Sequence, residues 1–134
     1  MDMAKYRVVF LEEATEHLED MSRALLDLER EPARGDAIDL VFRMAHSIKG
    51  MAASLGYDPI TEVAHRLEDR MQDVRAAGRV EPDDLALLFK GLEGLEAMLA
   101  AVRDTGQAPP PDPWLAHALA APIGPRKKKV LSPR

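Results

Sequence analysis

Cysteine is absent from this chain of 134 residues, which excludes disulfides, thiolate metal sites and thiol nucleophiles. Nothing calls for an oxidising compartment, so a cytoplasmic location is expected. Aromatic residues are nearly as scarce, with three Phe, two Tyr and one Trp. The core must be assembled from Leu, Val, Ile, Met and Ala, a palette that suits helices better than sheets. No apolar run reaches membrane length, and no apolar signal region follows the start Met1 to Arg7, so neither insertion in a membrane nor export is expected. Excess positive charge is missing from most of the chain. The formal net charge is −5, yet Arg126, Lys127, Lys128, Lys129 and Arg134 fall in residues 122–134 without a single acid. Setting those five positive charges aside leaves −10 on residues 1–121, a body that repels phosphate backbones and makes nucleic acid an unexpected partner.

What the chain has is helical periodicity. Phe10, Ala14, Leu18, Met21, Leu25 and Leu28 recur at spacings of three and four and predict one long helix over residues 4–30 with a single buried face. Glu31 to Gly35 breaks it, and Asp36 is the expected N-cap of the next. That second helix carries Ile38, Val41, Ala45, Ile48, Ala52 and Leu55 and stops at Gly56. Asp58 as cap and Pro59 at the first helical position open a third, whose stripe is Ile60, Ala64, Leu67, Met71 and Val74. Gly78 closes it as a left-handed C-cap. Glu81-Pro82-Asp83-Asp84 opens a fourth with acids at the positive end of the helix dipole, followed by Leu85, Leu88, Leu92, Leu95, Leu99 and Val102. Gly91 and Gly94 lie inside this helix at a cost of about 1 kcal/mol each relative to Ala, and the pattern assigns them no role. Residues 104–113, rich in Pro and Gly, form a linker to a short fifth helix over 114–121, with Trp114 and Leu115 pressed on the bundle. Residues from Pro122 onward have the composition of a disordered tail. The fold class is all-α, an antiparallel four-helix bundle with a short fifth helix at residues 1–121, followed by a basic tail.

A bundle implies no function, so a site has to be found. His46 lies one residue past the core position Ala45, about 100° around the helix, at the edge of the buried stripe. Along its own stripe stand Phe42, Lys49, Gly50 and Ala53. Small residues beside an exposed imidazole let another protein come close, where a surface built for solubility would carry long charged chains. On the third helix the matching stripe is Thr61, His65, Glu68, Gln72 and Arg75. If the two helices form a hairpin turning about Tyr57, residues placed symmetrically about that pivot lie level. His46 then faces Glu68, and Lys49 faces His65. An acceptor on one imidazole nitrogen fixes the tautomer, leaves the other free as a nucleophile and stabilises positive charge that builds on the ring. Glu68 can be that acceptor, and Lys49 can neutralise phosphoryl oxygens. No Gly-rich phosphate loop or kinase residue set is present. The nucleophile is there and the donor machinery is not. His17 and His117 lack such surroundings and read as solvated residues.

The run His46-Ser47-Ile48-Lys49-Gly50-Met51-Ala52-Ala53-Ser54-Leu55-Gly56 resembles the phosphoacceptor motif of histidine phosphotransfer domains, His-x-x-Lys-Gly followed by small residues and a second glycine. Ala64-His65-Arg66-Leu67-Glu68-Asp69 resembles the third-helix element of the type found at the N-terminus of the chemotaxis histidine kinase CheA. The resemblance covers about residues 4–121. It implies that His46 is phosphorylated by the ATP-binding domain of a kinase and donates to an aspartate of a response-regulator receiver domain. It further implies that Glu68, Lys49 and His65 form a supporting network, and that Gly50 keeps a docking face clear with Ala53 and Phe42. No cofactor is expected in this domain, since ATP and magnesium belong to the kinase, and no metal is expected. The domain is then a phosphorylated substrate rather than an enzyme by itself, a monomer alone, and either a fragment of a longer kinase, with the tail as the start of an interdomain linker, or a free-standing phosphotransfer protein, the fragment being the favoured reading. Two other classes stay open on the residues alone: a metal-binding bundle using His46, His65 and Glu68, and an acidic helical adaptor that is never phosphorylated.

Overall fold

The structure, a computed structural model, describes residues 2–120, so the expectation of a disordered basic tail from Pro122 lies outside the described residues. Five helices follow in order: α1 (Met3–Arg30), α2 (Gly35–Ser54), α3 (Asp58–Ala77), α4 (Pro82–Thr105) and α5 (Pro113–Ala120). No strand occurs among the described residues, and none of the helices is long and apolar enough to cross a membrane. The first four pack α2 against α3, α1 against α2 and α4, and α5 lies on α3 and α4. The stripes seen in the sequence supply the core, from Phe10 through Leu28 on α1 to Leu85 through Val102 on α4, nearly all fully buried.

The starts of α2 and α3 differ from expectation by a residue or two, and neither has a side-chain capping hydrogen bond. Asp2 caps α1 by accepting from the Ala4 N–H at 3.1 Å. In α2 the N-cap is Arg34, and Asp36 sits in the first turn, where it binds Arg34 Nε at 2.9 Å instead of capping. In α3 the N-cap is Tyr57, with Asp58 already helical.

The turn between α2 and α3 sets everything on their shared face. Gly56 has φ +77°, a left-handed conformation that costs only glycine nothing. It lets the Tyr57 N–H return to Ala52 O at 3.0 Å and the Gly56 N–H to Ala53 O at 3.2 Å, the double closure that ends a helix and reverses the chain within three residues. The Tyr57 ring then packs on Phe10 of α1, centroids 5.4 Å apart. At the opposite end, the Val80 N–H bonds to Pro32 O at 2.9 Å and ties the α3–α4 turn to the α1–α2 turn.

Two features escaped the apolar pattern. Arg70 and Asp84, only 4 % and 3 % exposed, form an ion pair at 3.2 Å between α3 and α4, and Arg70 Nη2 also donates to Ala118 O of α5 at 2.9 Å. A charge that far from water is tolerable only when paired and hydrogen-bonded, and here it joins three helices. Helix α5 rests on Leu115 and Leu119. The expectation that Trp114 would press on the bundle fails: it is 60 % exposed, since residues four apart share a helical face and adjacent ones do not.

Gly91 and Gly94 also gain a reason. A Cβ on Gly91 would stand 2.6 Å from Leu67 Cδ2 and 3.2 Å from its Cδ1, and one on Gly94 would stand 2.6 Å from Leu115 Cδ2. Each glycine is a notch for a leucine of the neighbouring helix. Gly91→Ala therefore gains about 1 kcal/mol of helix propensity but overpacks a fully buried Leu67, a loss of about 1–3 kcal/mol. The expected outcome is a net destabilisation of about 1 kcal/mol in urea unfolding. Gly94→Ala should be closer to neutral, because Leu115 lies on a peripheral helix that can shift.

Candidate phosphotransfer site

His46 rises from the middle of α2 with 63 % of its side chain exposed, while Glu68 on α3 is only 11 % exposed. The imidazole Nδ1 lies 2.7 Å from Glu68 Oε2, a short, charge-assisted contact. Glu68 Oε1 receives Lys49 Nζ at 2.5 Å. One carboxylate thus holds the ring with one oxygen and the ammonium with the other. Burial pushes the Glu68 carboxyl up, but hydrogen bonds from Lys49 and then His46, with the charges behind them, outweigh it and hold the group below its ordinary value. Glu68 is therefore an anion in the folded protein at neutral pH.

The pairing of His46 with Glu68 is the one expected from symmetry about Tyr57. Lys49 and His65 do not pair. The lysine stem is long enough to turn back to the deeper carboxylate, and His65 Nε2 leans along its own helix to Asp69 Oδ2 at 3.6 Å. His65 is thus outside the cluster that joins His46, Glu68 and Lys49. His17 is half-buried and His117 exposed, and both lie outside it too. Among the described residues no three His, Asp or Glu side chains gather as metal ligands.

Phe42, one turn before His46, sets its ring nearly parallel to the imidazole, 14° between planes and 6.5 Å between centroids. Above it lies the Arg75 guanidinium, Cζ 4.4 Å from the ring centroid, with Arg75 Nε on Asp39 Oδ1 at 3.0 Å. Arg75 was given no role in the sequence. The signal was available, since Asp39 and Arg75 are also placed symmetrically about Tyr57. On the other side of His46, Gly50 and Ala53 are exposed. A Cβ on Gly50 would meet nothing within 4 Å, in contrast to Gly91 and Gly94, so packing within the domain does not require a glycine there.

The sequence profile of the Hpt domain matches residues 5–105. The chain belongs to the Hpt domain family. It is 37 % identical over 107 residues to the chemotaxis protein CheA of Bacillus subtilis and 34 % identical over 105 residues to that of Halobacterium salinarum, covering 79 % and 78 % of this chain. In both cases the match takes in 16 % of the relative, so the chain spans about a sixth of the length of the curated proteins it matches. Among solved structures, the CheA phosphotransferase domain from Thermotoga maritima superposes with a TM-score of 0.71 at 29 % identity, over 77 % of this chain and 98 % of that one. A solution structure of the histidine phosphotransfer domain of CheA gives 0.73 at 29 % identity, over 79 % and 80 %. The helical bundle is thus that of the Hpt domains of CheA, and α5 lies beyond the residues the family profile covers.

The Glu68 geometry makes a pH prediction. A carboxyl held below its ordinary value of 4.5 contributes stability that is fully present above that value and is lost as pH falls through the lower folded-state value. The gap in unfolding free energy between wild type and Glu68→Gln should therefore be widest at neutral pH and shrink below about pH 4.5. A gap that stays constant from pH 7 to pH 3 would show that Glu68 is not held as an anion by its partners.

Proposed function

We propose that His46 is the phosphoacceptor of a chemotaxis-type phosphorelay, taking a phosphoryl group from a kinase ATP-binding domain and donating it to a receiver aspartate. The observation that carries this reading is the 2.7 Å contact between His46 Nδ1 and Glu68 on a ring otherwise open to solvent. With the proton on Nδ1 and donated to Glu68, the lone pair is on Nε2, the nitrogen left for a partner to approach. Nε2 attacks the γ-phosphorus of ATP, the Nε2–P bond forms, the bond from phosphorus to the bridging oxygen breaks, and ADP leaves. The ring becomes cationic, and Glu68 stabilises that charge as the carboxylate of a hydrolytic triad does. Reversal of the attack, with an aspartate oxygen as the new nucleophile, breaks the N–P bond and restores the neutral ring. Lys49 supports the step by keeping Glu68 ionised. ATP and magnesium are supplied by the kinase domain.

The domain acts as a substrate of the kinase rather than an enzyme by itself, and the sixth of the curated CheA proteins that it spans supports reading it as one part of a larger kinase. We place the phosphotransfer unit at residues 1–121, with 122–134 as the beginning of a linker, and assign the unit to the cytoplasm. Gly50 supports the docking part of the reading: a helix-interior glycine that costs about 1 kcal/mol and fills no internal need is explained by a surface that must stay bare.

Incubation with Mg-ATP and a CheA kinase core should label the wild-type protein with an acid-labile, base-stable phosphate. His46→Gln should abolish labelling with the fold intact, and Glu68→Gln should slow it without abolishing it. Labelling of His46→Gln at the wild-type rate would overturn the assignment. Gly50→Arg separates docking from folding. It should stabilise the isolated domain by up to about 1 kcal/mol while slowing transfer both from kinase and to receiver, and unchanged transfer in both directions would show that partners approach elsewhere.

A further inference from the structure

Phosphoryl transfer brings an anionic partner against His46, and α2 and α3 carry Lys49, Arg43 and Arg75 among their cations. Lys49 is committed to Glu68 at 2.5 Å. Arg43 is exposed on α2 and has no ring or carboxylate holding it among the described residues. Arg75 differs from both. Its guanidinium carbon stands over the Phe42 ring, 4.4 Å from the centroid, and its Nε lies 3.0 Å from Asp39 Oδ1 in an ion pair. The side chain is 46 % exposed. A guanidinium held over an aromatic ring and paired through its inner nitrogen has lost part of the freedom that binding would otherwise cost, and a guanidinium is a two-pronged donor suited to a carboxylate.

The stack is continuous with the reacting group. Arg75 covers Phe42, and Phe42 is nearly parallel to the His46 ring, so one aromatic side chain neighbours both the guanidinium and the imidazole. We propose that Arg75 is a docking residue that receives a surface carboxylate of the receiver protein and sets the receiver's register over His46. The proposal rests on the reading of His46 as phosphodonor. Arg75 touches neither the phosphoryl group nor the imidazole, so it governs how tightly the receiver is held and not how fast phosphorus moves within the complex.

The experiment follows transfer from the ³²P-labelled domain to a receiver that the wild type phosphorylates, as a function of receiver concentration, for wild type, Arg75→Ala, Arg75→Lys and Arg43→Ala. The expected result is a KM raised about tenfold in Arg75→Ala with the maximal rate unchanged, and a weaker dependence of KM on salt than in the wild type. Arg75→Lys should recover only part of the loss, because an ammonium neither stacks nor forks, and Arg43→Ala should stay within twofold of wild type. Circular dichroism checks that each variant is folded. Superimposed saturation curves for wild type and Arg75→Ala overturn the proposal, as does a fall in maximal rate at constant KM. A defect confined to labelling by the kinase overturns it in favour of a kinase contact, and equal losses in Arg43→Ala reduce it to general charge. Failure of the wild type to take label on His46 removes the functional reading itself and this inference with it, a result distinct from any of the others.

Discussion

Glu68 uses its two oxygens for two different tasks, and the site depends on both being done at once. One oxygen orients the His46 ring, the other binds Lys49, and the pair of contacts keeps an almost buried carboxyl ionised. Without the lysine, burial would push the carboxyl up against the opposing pull of His46 alone, and its hold as an anion would weaken. Without the burial, the carboxylate would be hydrated and its hold on the ring weak. The arrangement therefore needs α2 and α3 to meet at a fixed level, which the left-handed Gly56 and the Tyr57 ring against Phe10 provide.

Much of this was legible in the sequence because a short hairpin makes sequence position a ruler. Once Tyr57 is taken as the pivot, His46 and Glu68 fall level, and so do Asp39 and Arg75, both of which meet. The same ruler misplaced Lys49 and His65, since it locates backbone levels and says nothing of where a flexible side chain turns. Lys49 followed the stronger field of a buried carboxylate, and His65 took the nearest acid on its own helix. Stripes of Leu and Ala likewise located the core, but they passed over Arg70 and Asp84, because a charged residue on a helix is ordinarily a solvated one. Their mutual ion pair and the Ala118 O of α5 on the guanidinium help make that burial tolerable.

The glycines divide in a way no composition count reveals. Gly91 and Gly94 answer to neighbours inside the molecule, whereas Gly50 answers to none. Residues of identical chemistry in similar helical settings therefore differ in what holds them, internal fit at Gly91 and Gly94 and no such fit at Gly50. Phe42 shows a comparable division: a half-buried aromatic neighbours both the imidazole of His46 and the guanidinium of Arg75.

Leu67, lodged in the notch at Gly91, is the residue immediately before Glu68. A side chain seated in a socket on a neighbouring helix acts as a key in a shaft, fixing the rotational phase of α3 about its own axis. The direction in which Glu68 leaves the helix is thus indexed from α4, which itself never comes near His46. Aim at the imidazole is in this sense set from behind, and the tolerance on it is that of a leucine in a well-fitted hole rather than that of a surface side chain.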